Sequence, residues 1–222
     1  MLLIAHRGLD NHDHRQNTIA AFKQALYMDY IDGIEFDVRM TKDGKFIICH
    51  NPFILENGVH IISIINYKKL KKVLKTSNYE LITLEQVLNE INTNKKIIID
   101  IKEEGNRGKK CVKRLIPILN YYQNKNISIC SFNDEILTLI EKNNTNYKTG
   151  VIVSLIINYS KLNKNKNDFT VVKYSLLDQT HFVKPVYFWT INKKQDYNKI
   201  KNKKSSYPLG IITDNAYKFI SN

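Results

Sequence analysis

Long apolar runs are missing from this sequence: no stretch approaches the eighteen or so consecutive apolar residues that a membrane-spanning helix needs. A secretion signal is missing too. "MLLIAHRGLD" has no basic start, only four apolar residues after Met1, and no small-residue cleavage site, so a cytoplasmic chain is expected. Cysteine is scarce. Cys49, Cys111 and Cys130 are odd in number and widely spaced, which argues against a disulfide framework or a cysteine zinc site and is compatible with a reducing compartment. No Pro-, Gly- or Ser-rich linker and no repeat with a period of about 20–50 residues divides the chain, so residues 1–222 are expected to form a single domain.

Acidic residues are few beside the basic ones. Lys and Arg number 34 against 21 Asp and Glu, a formal net charge of +13 that favours anionic partners. Much of the excess is local, since residues 161–204 carry eleven Lys against Asp168, Asp178 and Asp196, a surplus of eight. That stretch leaves peripheral contact with an anionic membrane open. The competing explanation is a solvated face in a chain rich in Lys, Asn and Ile throughout.

What is present is an alternation of short β-type runs and helical patterns from one end to the other, as in βα units around a parallel sheet. "LLIAH", "DGIEFDVRM", "KIIIDIK", "ISICSF", "YKTGVIVSL", "FTVVKYSLL", "PVYFWTI" and "LGIITD" are expected strands. "NTIAAFKQALYM" places Ile19, Phe22, Ala25 and Leu26 on one helical face, and "TLEQVLNEI" begins with Thr83 and Gln86 in capping-box spacing. A "TKDG" turn joins the second strand to "KFIICH", a hairpin insertion. Pro117 risks a kink in "KKCVKRLIPILNYYQ". Between "FTVVKYSLL" and "PVYFWTI" the seven residues "DQTHFVK" are too few for a full helix, so one crossover near residue 180 should be degenerate. The expected fold is α/β, a compact (β/α)8 barrel.

Charged groups fall at the carboxyl ends of the early strands, the face on which barrels build active sites. Glu35 and Asp37 are two apart, so both carboxylates project from one strand face. Asp100 and Lys102 repeat the spacing on a later strand. Such a buried acidic group needs a cation or a shared proton, and three carboxylates suit one hard divalent cation, Mg2+ or Ca2+. His6 ends the first strand and His50 the hairpin strand, where two imidazoles can serve as general acid and general base. Arg7 and Lys102 can neutralise phosphate oxygens. Singly, each has a plainer explanation as a structural histidine or a salt-bridge partner; the joint occurrence carries the argument.

"HRG" at 6–8, "NT..AF..A" at 17–25, "IEFDVRMTKDG" at 34–44, His50, "TLEQVL" at 83–88, "DIK" at 100–102, "SF" at 131–132, "WTIN" at 189–192 and "GIITD" at 210–214 resemble the glycerophosphodiester phosphodiesterases in order and spacing. The resemblance covers about residues 2 to 217. It implies a TIM barrel, a divalent metal held by Glu35, Asp37 and Asp100, acid/base histidines at His6 and His50, and phosphate or substrate contacts from Arg7, Lys102, Asn17 and the apolar Trp189. It also implies attack by a substrate hydroxyl vicinal to the phosphate, then opening of a cyclic phosphate by water, with the roles of the two histidines left open. The substrate expected is a glycerophosphodiester or lysophospholipid, without nucleic acid as a partner. Lysophospholipase D or phospholipase C-like chemistry on the same barrel is the alternative, and a weakened anionic-lipid-binding module another, against which His6, His50, Glu35 and Asp37 all stand. Three positions depart from the family pattern: Gln16 replaces a Glu, Asp100 replaces a Glu, and Asn51 replaces an Asp. His12 and His14 are assigned to a solvated loop, and His60 and His181 have no partner motif.

Overall fold

The computed structural model describes residues 1–10, 15–103, 105–143, 146–155, 166–179 and 183–219. His12, His14 and His181 lie outside the described residues, as do Lys161 and Lys164 of the basic stretch. In chain order the elements are β1 (Leu2–His6), α1 (Ile19–Tyr27), β2 (Gly33–Met40), β3 (Phe46–Ile48), β4 (Phe53–Ile54), β5 (His60–Ile61), α2 (Tyr67–Leu74) and α3 (Leu84–Glu90). They continue as β6 (Lys96–Ile101), α4 (Gly108–Tyr121), β7 (Ile127–Ser131), α5 (Asp134–Lys142), β8 (Lys148–Val153), β9 (Phe169–Lys173), β10 (Val186–Trp189), α6 (Lys194–Lys201) and β11 (Leu209–Thr213).

Eight strands run parallel in the order β1-β2-β6-β7-β8-β9-β10-β11, and the ring closes where β11 pairs with β1. This is the expected barrel. β3 pairs antiparallel with β2, placing the hairpin where the "TKDG" turn put it; Gly44 adopts φ 90, a region costly for any other residue. The degenerate crossover is a 3-10 segment, Tyr174–Gln179, with residues 180–182 outside the described set. A 3-10 turn, Ala216–Phe219, follows the last strand.

Local signals explain the elements. The β-branched run of β6 is buried on both faces, as a parallel strand between helices and barrel interior must be. Thr18 caps α1 by accepting from Ala21 N, and Thr83 and Gln86 form the reciprocal capping box of α3. Pro117 lies on the exposed side of an unbroken α4, so the hydrogen bond it cannot make is lost toward solvent.

The barrel interior is filled by alternate residues of the strands. Ile4, Ile98, Cys130, Ile152, Val171 and Ile212 form a central plug, and Phe169 and Tyr187 pack beside them with ring centroids 5.6 Å apart. Two glycines make room for these rings: a Cβ at Gly150 would lie 2.2 Å from Phe169, and one at Gly210 would lie 2.5 Å from Tyr187. Gly150→Ala should therefore overpack the interior and destabilise the chain by about 1–3 kcal/mol. Urea unfolding reads this directly; an unchanged midpoint would mean that Phe169 moves aside freely. The plug floors the cavity above it, so polar side chains one step further along each strand meet at the carboxyl-terminal mouth.

Candidate active site

The row above the apolar plug is charged because β1, β2 and β6 each place an inward-facing polar residue one pleat beyond a buried Ile or Gly. Register fixes the neighbours: His6 stands opposite Glu35, and Asp37 opposite Asp100. One oxygen each of Glu35, Asp37 and Asp100 falls within 4.8 Å of the others. All three side chains are buried. They line a cavity of about 230 Å³ together with His6, Arg7, His50, Lys102 and an apolar wall of Phe132, Ile152, Val171, Trp189 and Ile212.

The cations close over the carboxylates. Lys102 Nζ lies 2.5 Å from Asp100 Oδ2 and 3.1 Å from Asp37 Oδ1. Arg7 Nε is 2.8 Å from Asp37 Oδ2, an ion pair whose N–H is not aligned for a hydrogen bond. Arg7 reaches in from a left-handed backbone (φ 57), pinned by Arg7 N donating to Glu35 O at 2.7 Å. Asn17 donates to Asp37 Oδ2 at 3.3 Å. Lys102 Nζ also sits 5.4 Å from the Phe132 ring centroid, and Phe132 meets Trp189 edge-on at 6.2 Å.

The balance of charge is uneven among the three acids. Burial and the adjacent Asp37 push the Glu35 carboxyl up to about 8. Burial also pushes Asp100 up to about 6, against the pull of Lys102. For Asp37 burial is outweighed by Lys102 and Arg7, which hold it below the ordinary carboxylate range. Glu35 Oε2 and Asp100 Oδ1 are buried and have no hydrogen-bond partner. Two buried carboxylate oxygens left unsatisfied cost free energy that a cation would recover. The donor set is all oxygen, so the residues present fit a hard divalent ion.

The two histidines are held differently. His6 Nδ1 hydrogen-bonds Asp214 Oδ1, and its Nε2 lies 3.7 Å from Glu35 Oε2. Burial alone would lower the His6 pKa; the Asp214 hydrogen bond and the Glu35 charge more than reverse that and raise it. His50 Nδ1 instead donates to the neutral Asn51 Oδ1 at 2.9 Å, and burial lowers its pKa. Arg39 fixes the His50 backbone, with Nε on His50 O at 2.8 Å and Nη1 on Lys102 O at 2.9 Å.

Sequence reasoning missed Asp214 and Asn192. Asn192 Nδ2 donates to Asp214 Oδ2 at 2.7 Å, and Asn192 Oδ1 accepts from Asp214 N at 3.0 Å, so "WTIN" and "GIITD" act together to aim the His6 partner. Their signal was a carboxylate just past the end of the last strand. The three departures also find places: Gln16 Oε1 accepts from Arg7 Nη1 at 2.8 Å, Asn51 accepts from His50, and Asp100 stands within the carboxylate triad.

Known proteins resemble this chain in sequence and in fold. A glycerophosphodiester phosphodiesterase from Caldanaerobacter subterraneus is 40% identical over 74 residues, a match spanning 32% of this chain and 30% of that relative. The crystal structure of a glycerophosphodiester phosphodiesterase from Parabacteroides distasonis superposes with a TM-score of 0.84 at 22% identity, covering 98% of this chain and 94% of that one. A phosphodiesterase from Oleispira antarctica, solved in complex with the product sn-glycerol-3-phosphate, gives a TM-score of 0.82 at 20% identity over 99% of this chain and 95% of that one. At those identities the structures speak for the fold. The model of the glycerophosphoryl diester phosphodiesterase family matches residues 6–218, and the chain belongs to that family.

Proposed function

We propose that this chain is a metal-assisted hydrolase that cleaves glycerophosphodiesters to sn-glycerol 3-phosphate and an alcohol, with residues 1–222 acting as a single catalytic domain. The observation that carries this is the mouth itself: three carboxylates within 4.8 Å, two of their buried oxygens unpartnered, and two imidazoles on the same cavity. The Oleispira relative's product supports the substrate class. Mg2+ or Ca2+ suits the all-oxygen set of Glu35, Asp37 and Asp100. Bound there, such an ion supplies Lewis-acid polarisation of a phosphoryl oxygen.

The chain's own groups divide the remaining work. Arg7 and Lys102, ion-paired to Asp37 at the cavity edge, turn to the phosphate oxygens as substrate enters. His6, with the anionic Asp214 at Nδ1, favours the imidazolium and hands a proton from Nε2 to the leaving alkoxide. His50, with a neutral amide at Nδ1, is the better acceptor and takes the proton of the attacking hydroxyl. In the second step, opening of the cyclic phosphate by water, the proton transfers run in reverse. Phe132 and Trp189 form the wall against which the substrate's carbon skeleton packs.

That wall favours lysophospholipids as a second substrate class, since five apolar side chains line the same cavity. The three cysteines are buried and unpaired, which supports a cytoplasmic setting. No described helix is long and apolar enough to cross a membrane. A panel of glycerophosphodiesters and lysophospholipids, assayed with Mg2+, Ca2+, Mn2+ and chelator, tests the proposal. The expected products are sn-glycerol 3-phosphate from the former and a glycerol-phosphate ester from the latter. No turnover of either class with any of the three ions would overturn it.

A further inference from the structure

The connection between β3 and α2 carries an apolar face that no described residue covers. β4 and β5 form a two-stranded ribbon with Phe53 opposite Ile61 and Ile54 opposite His60. Side chains alternate across such a ribbon, so Phe53 and Ile61 share one face, which Leu55 and Val59 continue toward the turn. The opposite face holds Ile54, only 3% exposed and packed with Ile47, Ile62, Leu70 and Leu74. The outer face is another matter: Phe53 is 37% exposed, Leu55 66%, Val59 68% and Ile61 44%. Ile64, just beyond the ribbon, is 66% exposed. Scattered exposed apolar side chains are ordinary, whereas a contiguous set on one rigid element marks a surface that meets something apolar.

A basic rim adjoins this face. α2 buries Leu70 and Leu74 and exposes Lys68, Lys69, Lys71 and Lys72, with Lys75 exposed just after it. None of the five takes part in an ion pair among the described residues. Glu56 is the sole acidic residue between His50 and Tyr79. The turn is tied to the helix by Asn57 Nδ2, which donates to Val73 O at 2.9 Å and to Thr76 Oγ1 at 3.1 Å, so apolar face and lysines keep a fixed relation. The ribbon's base is tied to the barrel mouth: Ile62 N donates to Pro52 O at 3.0 Å, and Arg107 Nη1 to Ser63 O at 2.8 Å.

We infer that this ribbon and α2 together dock the protein on an anionic phospholipid bilayer. The apolar side chains would sit at the boundary of headgroups and acyl chains, and the lysines at the lipid phosphates. The combination identifies the occupant. An apolar face alone suits a second copy of the chain equally, but a two-fold contact through this surface would bring two unpaired lysine rims together. A bilayer carrying negative charge answers both features, and it places the lipid surface beside the cavity. The docking does not rest on the hydrolase reading, because vesicle binding is measured without turnover.

The test is co-sedimentation of the full chain with vesicles of phosphatidylglycerol and phosphatidylcholine, and with vesicles of phosphatidylcholine alone. The expected result is binding to the anionic vesicles at low salt, weakened by high salt and by removing the anionic lipid. Leu55→Thr, Val59→Thr and Ile61→Thr together should lower partition about tenfold or more, since Thr keeps the β preference of the ribbon. Lys68→Gln, Lys69→Gln, Lys71→Gln and Lys72→Gln together should do the same. Being confined to an exposed helix face, they leave the fold intact should the Thr variant fail to fold. Both sets should keep the parent's melting temperature and its rate on a water-soluble glycerophosphodiester. Parent protein that stays in the supernatant with anionic vesicles overturns the inference, as does undiminished binding by a folded variant. Equal binding to neutral vesicles overturns it too, and a concentration-dependent dimer abolished by the Thr set, without vesicle binding, assigns the face to a second copy. Loss of binding only on replacing Lys193, Lys194, Lys201, Lys203 and Lys204 would move the docking to the basic stretch at α6.

Discussion

Replacing His6 or His50 by Ala is expected to lower kcat by about 10²-fold or more, the usual contribution of a positioned general acid or base. The two losses should differ in kind. On an aryl phosphodiester, whose leaving group needs no protonation, His6→Ala should recover much of its loss and His50→Ala little, because Asp214 sustains the His6 cation while burial lowers the His50 pKa and Asn51 brings it no countercharge. Asp214→Asn should reproduce part of the His6 defect and share its recovery. Equal losses for both histidine variants on both substrates would end the assignment of separate roles.

Chelation should abolish hydrolysis altogether, with metal removal confirmed by elemental analysis; full activity in a metal-free sample would sink the metal proposal. Proton and cation compete for the same oxygens, and the Glu35 carboxyl, raised to about 8 by burial and Asp37, must ionise to become a ligand. Metal affinity should therefore rise with pH and level off above about 8, by about tenfold per pH unit where one proton is exchanged. The same shift has the opposite sign for the metal-free fold. A carboxyl whose pKa is raised on folding stabilises the folded state below its ordinary range, and that contribution is lost as pH climbs toward 8. Glu35→Gln should weaken metal binding, leave the barrel folded, and flatten this loss in a thermal melt recorded against pH.

The barrel and most of the mouth were legible because strand periodicity is local. A spacing of two positions from Glu35 to Asp37, or from Asp100 to Lys102, is enough to put both groups on one face, and no knowledge of the neighbouring strand is needed. Asp214 was legible only as a letter in "GIITD". Its partner lies 208 positions away, and the contact exists because the barrel closes between its first and last strands. Arg39 and Asn192 escaped notice for a similar reason: each acts through backbone or side-chain groups that other strands bring up. The β4–β5 ribbon was hidden differently. Ile54 and Ile62 alternate with Phe53 and Ile61 in an apolar run, so hydrophobicity alone could not say which face the barrel covers. The sequence directed attention for membrane contact to residues 161–204, where charge density is highest, whereas the ribbon adds an apolar face to its charge.

The seam between β1 and β11 also sets when during biosynthesis the chain can become active. A nascent polypeptide leaves the ribosome with His6, Glu35, Asp37, His50, Asp100 and Lys102 long before Trp189, Asn192 and Asp214, so the acidic cluster is synthesised well ahead of the carboxylate that holds His6. Until the eighth barrel strand emerges and pairs with the first, β1 has an open edge and His6 has no anionic partner. Such a pairing between distant segments is intrinsically slow to form. The half-made protein therefore holds its acidic cluster without a closed mouth or an aimed imidazole, and competence for the proposed cleavage arrives only with ring closure.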